Sequence, residues 1–75
     1  MGDRRFTLRA LRLAIGKTQV GVARTAAMAQ GEVSRLEARR DTKLSTLARY
    51  VTALGGTVEA VAVIGGRRYR LDLDP

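Results

Sequence analysis

The stretch TQVGVARTAAMAQGEVSRLEARR, residues 18–40, decides how the chain folds. Small apolar residues beginning at Val22 recur at helical spacing in its first half, and Val33 and Leu36 do so in its second half. Between these patterns lies AAMAQ, residues 26–30, which we interpret as a turn without proline. The stretch therefore predicts two short helices joined by a tight turn, the arrangement known as a helix-turn-helix.

Apolar spacing predicts one further helix on each side of this stretch. The first ends at Gly16, because glycine readily adopts positive φ, and Thr18 is then a candidate N-cap for the next helix. The last helix follows a charged connector, residues 38–43, and ends at Gly55 and Gly56. We expect the core to contain Leu11, Val22, Val33, Leu36, Leu47, Val51 and Leu54.

The period changes after the last helix, and residues 57–73 are predicted to form a β-hairpin around a Gly-Gly pair. A lone two-stranded hairpin is barely stable in water. Its first strand is apolar on both faces, so one face can lie on the helices while the other needs a second chain. We therefore predict that the hairpin dimerises the protein. The expected interface residues are Val58, Val61, Val63, Tyr69 and Leu71.

Two hairpin registers are open. A two-residue loop pairs Ala62 with Tyr69 and sets the like charges of Glu59 and Asp72 against each other, which should cost stability. A three-residue loop with a bulge instead pairs Val63 with Tyr69. We favour the three-residue loop.

The 75 residues predict one small domain, 1–75, with a helical unit at 6–55 and the hairpin behind it. Domains of this size bury about 60% of their unfolded surface and usually need a disulfide, a metal or a partner subunit. Cysteine and histidine are both absent, which excludes disulfides, thiolate zinc sites and cysteine catalysis. We expect no metal and no cofactor, and we expect oligomerisation to supply the missing stability.

The net charge of +7 lies entirely in the first part of the chain. Residues 1–49 carry eleven lysines and arginines against four acidic residues, whereas residues 50–75 carry three of each. A basic half joined to a neutral half indicates a unit that binds a polyanion and a unit that assembles. A basic surface kept only for solubility is the alternative.

Neither a membrane segment nor an enzyme is expected. No apolar run of about 18 residues is present, and the basic start lacks the apolar core and cleavage site of a signal peptide. The absence of cysteine fits a reducing cytoplasm, which is the predicted location. The neighbouring acids Asp72 and Asp74 have no base partner, so no catalytic site is predicted.

The helix-turn-helix stretch also carries a family resemblance. Its pattern TQ-x-x-VA-x-x-A-x-M-x-Q-x-x-VSRLE resembles the signature of the Xre/Cro/CI family of DNA-binding domains. The following KLSTLARYVTALGGTVEAVAV is similar to the tail of HigA-like and HipB-like antitoxins. The resemblance implies a mainly α, lambda-repressor-like four-helix domain followed by a C-terminal β-hairpin. It further implies a homodimeric repressor on a palindromic operator, plausible as the antitoxin of a type II toxin-antitoxin pair that represses its own operon.

The predicted DNA contacts cluster around the second helix of the motif, which a helix-turn-helix places in the major groove. Arg35 can contact guanine or a phosphate, and Glu32 can accept from cytosine or face solvent. The expected base contacts are Gln30, Glu32 and Arg35. The expected phosphate contacts are Thr18, Gln19, Ser34, Arg39, Arg40 and Lys43.

The resemblance also implies a structural ion pair between Arg12 and Glu37 that joins the first and third helices. Three positions depart from the family pattern. Ala27 replaces the usual turn glycine, Ala29 replaces a capping Ser or Thr, and Gly31 lies where a base-contacting side chain is expected.

A second hypothesis is a protein-interaction module that keeps this fold and binds a partner, such as a toxin, with weak or no DNA binding. Charge reversal at Arg35, Arg39 and Arg40 separates the two, because only the DNA-binding protein would lose its ligand. Because only LDLDP follows the hairpin, we expect a toxin to bind the folded surface. RNA binding is disfavoured by the three unclustered aromatic residues.

Overall fold

The computed structural model describes residues 5–72, which form four helices followed by a two-stranded antiparallel hairpin. The elements are α1 (Leu8–Ile15), α2 (Gln19–Ala26), α3 (Gln30–Ala38), α4 (Leu44–Ala53), β1 (Ala60–Ile64) and β2 (Arg67–Leu71). The predicted fold class is confirmed. Position 73, the predicted end of the hairpin, lies outside the described residues. Within them, no helix is long and apolar enough to cross a membrane.

Threonine side chains cap the N-termini of the first two helices. Thr7 Oγ1 accepts a hydrogen bond from the Ala10 N–H, and Thr18 Oγ1 accepts one from the Gly21 N–H, each at 3.0 Å. Gly16 ends α1 with φ +79°, a left-handed conformation that carries no Cβ penalty in glycine. These local signals fix the short connection between α1 and α2, as the sequence predicts.

The core lies between α2, α3 and α4. Its buried members are Val22, Ala23, Met28, Val33, Leu36 and Tyr50, and Leu8, Ala26, Val51, Ala53 and Leu54 pack against them. The expectation that Leu11 and Leu47 belong to the core is wrong, because neither is among the buried residues or among those that pack against them. Helix α1 instead contributes Leu8 and the buried side chain of Arg12.

The turn between α2 and α3 contains a left-handed alanine. Ala27 has φ +56° and ψ +46°, and the N–H of Met28 donates to the Ala23 carbonyl at 2.9 Å. Arg49 of α4 holds this turn, because its Nη2 donates to the carbonyls of Ala26 (2.8 Å) and Ala27 (3.2 Å). The left-handed conformation costs an L-residue about 1–2 kcal/mol, so the turn is held under strain.

The hairpin has the two-residue loop, and the favoured three-residue register is wrong. Ala62 pairs with Tyr69 and Val63 with Arg68, and Gly65 and Gly66 both take positive φ. Two glycines in succession suit the two-residue turn that matches the strand twist.

The like-charge objection to this register is answered by a diagonal ion pair. Glu59 forms an ion pair with the exposed Arg70, which lies two positions before Asp72 in the chain, so the Glu59 charge is not left facing Asp72 alone. Diagonal neighbours lie within reach of long side chains across an antiparallel pair.

The register divides the predicted dimer residues between two faces. Side chains directly opposite each other share a face, so Val61 and Val63 lie with Arg70 and Arg68. The other face carries Arg67, opposite Ile64 at the loop end, and the apolar residues Ala60, Ala62, Ile64, Tyr69 and Leu71. We call this second set the apolar hairpin face. Val58 is half-buried and precedes the strand.

Replacing Ala27 with glycine should stabilise the fold. Glycine removes the left-handed strain of about 1–2 kcal/mol. It also raises the conformational entropy of the unfolded chain, which lowers the free energy of unfolding by about 0.5–1 kcal/mol. We expect a net gain of about 0.5–1 kcal/mol, measured by urea unfolding at fixed protein concentration.

Ala10→Gly is the matched control, because Ala10 is exposed within α1. That substitution should cost about 1 kcal/mol. Equal destabilisation by the two changes would contradict the strain assigned to the turn.

Candidate nucleic-acid interface

Helix α3 has one buried side and one exposed side. Val33 and Leu36 face the core, whereas the opposite side is exposed along its whole length. We call this exposed side, formed by Gln30, Gly31, Ser34, Arg35 and Ala38, the outer face of α3. The outer face is available to an external ligand, which is what the predicted role of this helix requires.

The start of α3 is capped from within the helix. Ala29 occupies the N-cap position and has no side-chain oxygen, but its N–H donates to Glu32 Oε1 at 3.2 Å. This bond is one half of a capping box. The Glu32 carboxylate also lies in the first turn, where a negative charge complements the helix dipole. Glu32, predicted as a base contact, is therefore engaged with its own backbone.

Four cations lie on or beside the outer face and have no partner among the described residues. Arg35, Arg39, Arg40 and Lys43 are exposed, and their side chains make no hydrogen bond or ion pair within residues 5–72. Arg35, Arg39 and Lys43 line a groove of about 300 Å³ between α3 and the start of α4. The N-cap Lys43 gives α4 no side-chain hydrogen bond, so the first-turn N–H groups also remain available to an anion.

A buried ion pair ties α1 to α3 where the sequence predicts one. Arg12 Nε lies 2.7 Å from Glu37 Oε2, and Arg12 Nη2 donates to Oε1 at 3.2 Å. The two side chains are only 7% and 5% exposed. Arg12 Nη1 also donates to the Lys17 carbonyl at 3.0 Å, so the guanidinium holds the connection between α1 and α2 as well.

Two further donors complete the surroundings of Glu37. Gln19 Nε2 donates to Oε1 at 3.1 Å, and the fully buried Tyr50 hydroxyl donates to Oε2 at 2.7 Å. Tyr50 Oη also lies 3.0 Å from the Leu8 carbonyl, but its single proton favours the shorter, charge-assisted bond. The carboxylate thus joins all four helices. We call Arg12, Gln19, Glu37 and Tyr50 the carboxylate network.

The network shifts the pKa values of Glu37, Arg12 and Tyr50. Burial alone would raise the pKa of the Glu37 carboxyl, but hydrogen bonds from Arg12, Tyr50 and Gln19 outweigh it and lower that pKa. The hydrogen bond with Glu37 raises the pKa of the Arg12 guanidinium. Burial, aided by the bond to Glu37, raises the pKa of the Tyr50 phenol well above its ordinary value.

The two predicted phosphate contacts at the start of α2, Thr18 and Gln19, also make hydrogen bonds within the protein. Thr18 accepts its capping bond through oxygen, which leaves the hydroxyl hydrogen free to donate. Gln19 commits one amide hydrogen to Glu37 and keeps the other. Both residues stay beside the N-terminus of α2, the end of a helix that favours an anion.

Sequence reasoning missed two contributors to this region. Arg9 is the first: together with the predicted phosphate contact Ser34 it lines a depression of about 390 Å³ between α1 and α3, and it is a further exposed cation near α2. Its position outside the apolar stripe of α1 was the available signal. The hydroxyl of the buried Tyr50 is the second, because no local sequence pattern indicates that it donates to Glu37.

An exposed helix that follows a tight turn, braced by three others and bordered by free cations, defines a helix-turn-helix protein of the nucleic-acid-binding type. No protein-family model matches the chain. HigA2 of Mycobacterium tuberculosis (strain ATCC 25618 / H37Rv), a protein assigned as an antitoxin, is 39% identical over 70 residues, covering 91% of this chain and 69% of that protein. This chain belongs to the HigA antitoxin family.

Two solved structures share the fold. One is a HigA antitoxin described for induced DNA bending by unique dimerization, with a TM-score of 0.82, 35% identity, and coverage of 95% of this chain and 97% of that one. The other is DNA-bound antitoxin HigA3, with a TM-score of 0.85, 36% identity, and coverage of 93% and 94%. The family resemblance predicted from the sequence is confirmed.

Removing Glu37 should be far more costly than removing the other paired glutamate. Glu37→Ala leaves the buried Arg12 charge unpaired, and loss of one partner of a buried pair costs about 3–5 kcal/mol. Glu59→Ala breaks the exposed pair with Arg70, whose members are 61% and 72% exposed. Exposed pairs contribute about 0–1 kcal/mol. Urea unfolding of both variants measures the difference, and comparable losses would contradict the assigned role of Glu37.

The pKa shifts predict stability losses at both ends of the pH range. Because the Glu37 pKa is lowered by folding, its contribution is complete above the unfolded value of about 4.3 and declines as pH falls through the folded value. Because the Tyr50 pKa is raised, its contribution is complete below about pH 10 and is lost as pH rises beyond it.

Tyr50→Phe isolates the alkaline effect. The free energy of unfolding should differ from wild type at pH 7 and converge with it above about pH 10, where the unfolded phenol ionises. A difference that stays constant from pH 7 to 11 would contradict the shift.

Proposed function

We propose that this protein is an antitoxin that binds duplex DNA as a homodimer and represses its own operon. The observation that carries the proposal is the outer face of α3, exposed along its length and bordered by cations with no partner among residues 5–72. A groove with a dense row of phosphates on either side is the ligand that satisfies both features.

The proposed base contacts come from the outer face and its edge. Gln30 can bond adenine N6 and N7 together, and Arg35 can bond guanine O6 and N7. Glu32 keeps one carboxylate oxygen that is not used by Ala29, and this oxygen can accept from cytosine N4.

The proposed phosphate contacts lie on both sides of α3. Thr18 and Gln19 act at the N-terminus of α2, with Arg9 and Ser34 beside them. Arg39, Arg40 and Lys43 act on the other side, next to the open N-terminus of α4. Such contacts fix the position of the protein on the duplex and make affinity strongly dependent on salt.

The apolar hairpin face is the proposed dimer contact. Ile64, Tyr69 and Leu71 are 67%, 47% and 50% exposed, an extent of apolar surface that a second copy can cover. This assignment keeps Tyr69 and Leu71 from the sequence prediction and moves Val61 and Val63 to the outside. A two-fold dimer would place two α3 helices about 34 Å apart, on a roughly palindromic operator.

The antitoxin role is supported by the relatives, since HigA2 of Mycobacterium tuberculosis is assigned as an antitoxin and the solved neighbours are HigA antitoxins. One of these is described as DNA-bound and another by its DNA bending and dimerization. We extend DNA binding, dimerisation and a toxin partner to this chain on that basis. Its place of action is then the bacterial cytoplasm, on the nucleoid when bound to DNA.

Arg35→Ala should weaken specific binding to the duplex upstream of the protein's own gene. Loss of one bidentate base contact costs about 1–3 kcal/mol, which corresponds to about 5- to 150-fold in Kd. Arg68→Ala is the matched control, because Arg68 is an exposed arginine of β2, on the hairpin face that carries Val61 and Val63. Fluorescence anisotropy across a salt series measures both.

The wild-type affinity should fall steeply as salt rises. Upstream DNA bound no better than an unrelated duplex, or binding indifferent to salt, would favour the interaction module that lacks DNA binding. In that case reversal of charge at Arg35, Arg39 and Arg40 would leave toxin binding unchanged.

Tyr69→Glu should convert the dimer to monomers, because it places a charge within the apolar hairpin face. Val63→Glu is the matched control: Val63 is 62% exposed on the opposite face, directly across from Arg68, so its glutamate gains a cross-strand partner. Sedimentation velocity distinguishes the species. Monomers from Val63→Glu and dimers from Tyr69→Glu would reverse the assignment of the interface.

A further inference from the structure

Gly31 and Arg35 lie one above the other on the outer face of α3. A Cβ atom built on Gly31 would lie 3.3 Å from Nη1 of Arg35, closer than ordinary van der Waals contact. The guanidinium therefore lies against the open space above Gly31, and a Cβ there would require it to shift by a few tenths of an ångström. Residues four apart on a helix are neighbours, and long side chains point back toward the N-terminus, so this placement follows from the helix geometry.

This placement brings the Arg35 charge to the first turn of α3. In a helix-turn-helix it is the N-terminal part of the recognition helix that contacts base edges. Arg35 lies in the last turn of α3, yet its guanidinium reaches back over Gly31 toward that end. Glycine thus replaces a short contact from position 31 with a longer one from position 35.

The Arg35 guanidinium lies over Gly31 and has no ion-pair partner among residues 5–72. Glu32, three residues from Arg35, directs its carboxylate to the Ala29 N–H. No carboxylate of residues 5–72 lies within 4.0 Å of an Arg35 nitrogen. All five guanidinium N–H donors therefore remain for an external acceptor, and the fork matches the two acceptors of guanine in the major groove.

We propose that Gly31 is a positioning residue for base recognition: its missing side chain seats the Arg35 guanidinium over the first turn of α3, where it selects guanine. This inference rests on the proposed DNA-binding function. It also gives the departure from the family pattern at position 31 a physical reason. The recognised chemical group is the O6–N7 edge of a guanine in each half-site.

The experiment selects binding sites from a duplex pool with a randomised central segment, using wild type, Arg35→Ala and Gly31→Gln. Wild type should select a guanine that Arg35→Ala no longer selects. Gly31→Gln should lose the preference for that same guanine, because its side chain takes the space of the guanidinium. Affinities are then measured on the selected duplex and on its single-base variant, where wild type should discriminate about tenfold or more.

Three comparisons separate positioning from simple destabilisation. Gly31→Ala should give an intermediate loss of discrimination although alanine favours the helix, because its Cβ displaces Nη1 only slightly. Ala38→Gln places the same side chain on the same face at the far end of α3 and should keep the guanine preference. In an Arg35→Ala background, Gly31→Gln should cause no further change in discrimination.

The outcomes distinguish this inference from the proposed function. Guanine discrimination that survives Gly31→Gln, or that falls additively in the double variant, overturns the inference while leaving DNA binding intact. Uniform weakening of all sequences by Arg35→Ala, with a smaller salt slope, assigns Arg35 to a phosphate and also overturns it. Wild type that binds no duplex overturns both.

Discussion

The carboxylate of Glu37 is the point on which the arrangement of the helices depends. It accepts four hydrogen bonds, from two nitrogens of Arg12, from Gln19 and from Tyr50, and so connects α3 to each of the other helices. No buried side-chain nitrogen or oxygen among the described residues lacks a partner. A buried charge with complete hydrogen bonding fixes the helix arrangement more sharply than apolar contact does. Any other arrangement would leave the charge unpaired in the low-dielectric interior, which is costly. A small core thereby gains a defined orientation for α3.

That orientation is what converts an ordinary short helix into a binding surface. Val33 and Leu36 fix which side of α3 is buried, and the network fixes how the helix is tilted against α1 and α2. The outer face is then exposed with cations that have no partner among residues 5–72, and the start of the helix is capped internally through Glu32. The strained, left-handed Ala27 contributes to the same arrangement. The turn it forms, held by Arg49, changes the direction of the chain between α2 and α3. Stability is concentrated behind the helix and ligand-binding capacity in front of it.

Much of this could be predicted from the sequence, and the remainder could not for identifiable reasons. Helix ends at Gly16 and Thr18 follow from local chemistry, and the pairing of Arg12 with Glu37 was implied by the family resemblance. The hairpin register was predicted wrongly because the two-residue loop sets the like charges of Glu59 and Asp72 against each other. The diagonal partner of Glu59, Arg70, depends on the reach of a long side chain, which the strand pattern does not give. The hydrogen bonds from Gln19 and Tyr50 to Glu37 join parts of the chain that are distant in sequence, and residue spacing does not predict such contacts.

We infer that the carboxylate network is closed to solvent and opens only when the whole domain unfolds. The most direct measurement is hydrogen exchange at the Arg12 Nε–H, observed in a ¹⁵N correlation spectrum at neutral pH. The account predicts a slowly exchanging signal whose protection approaches that of the core amides of α3, while the Nε–H of exposed arginines such as Arg24 exchange rapidly. Exchange at Arg12 as fast as at Arg24 would show that the network opens without unfolding, and the account would be contradicted.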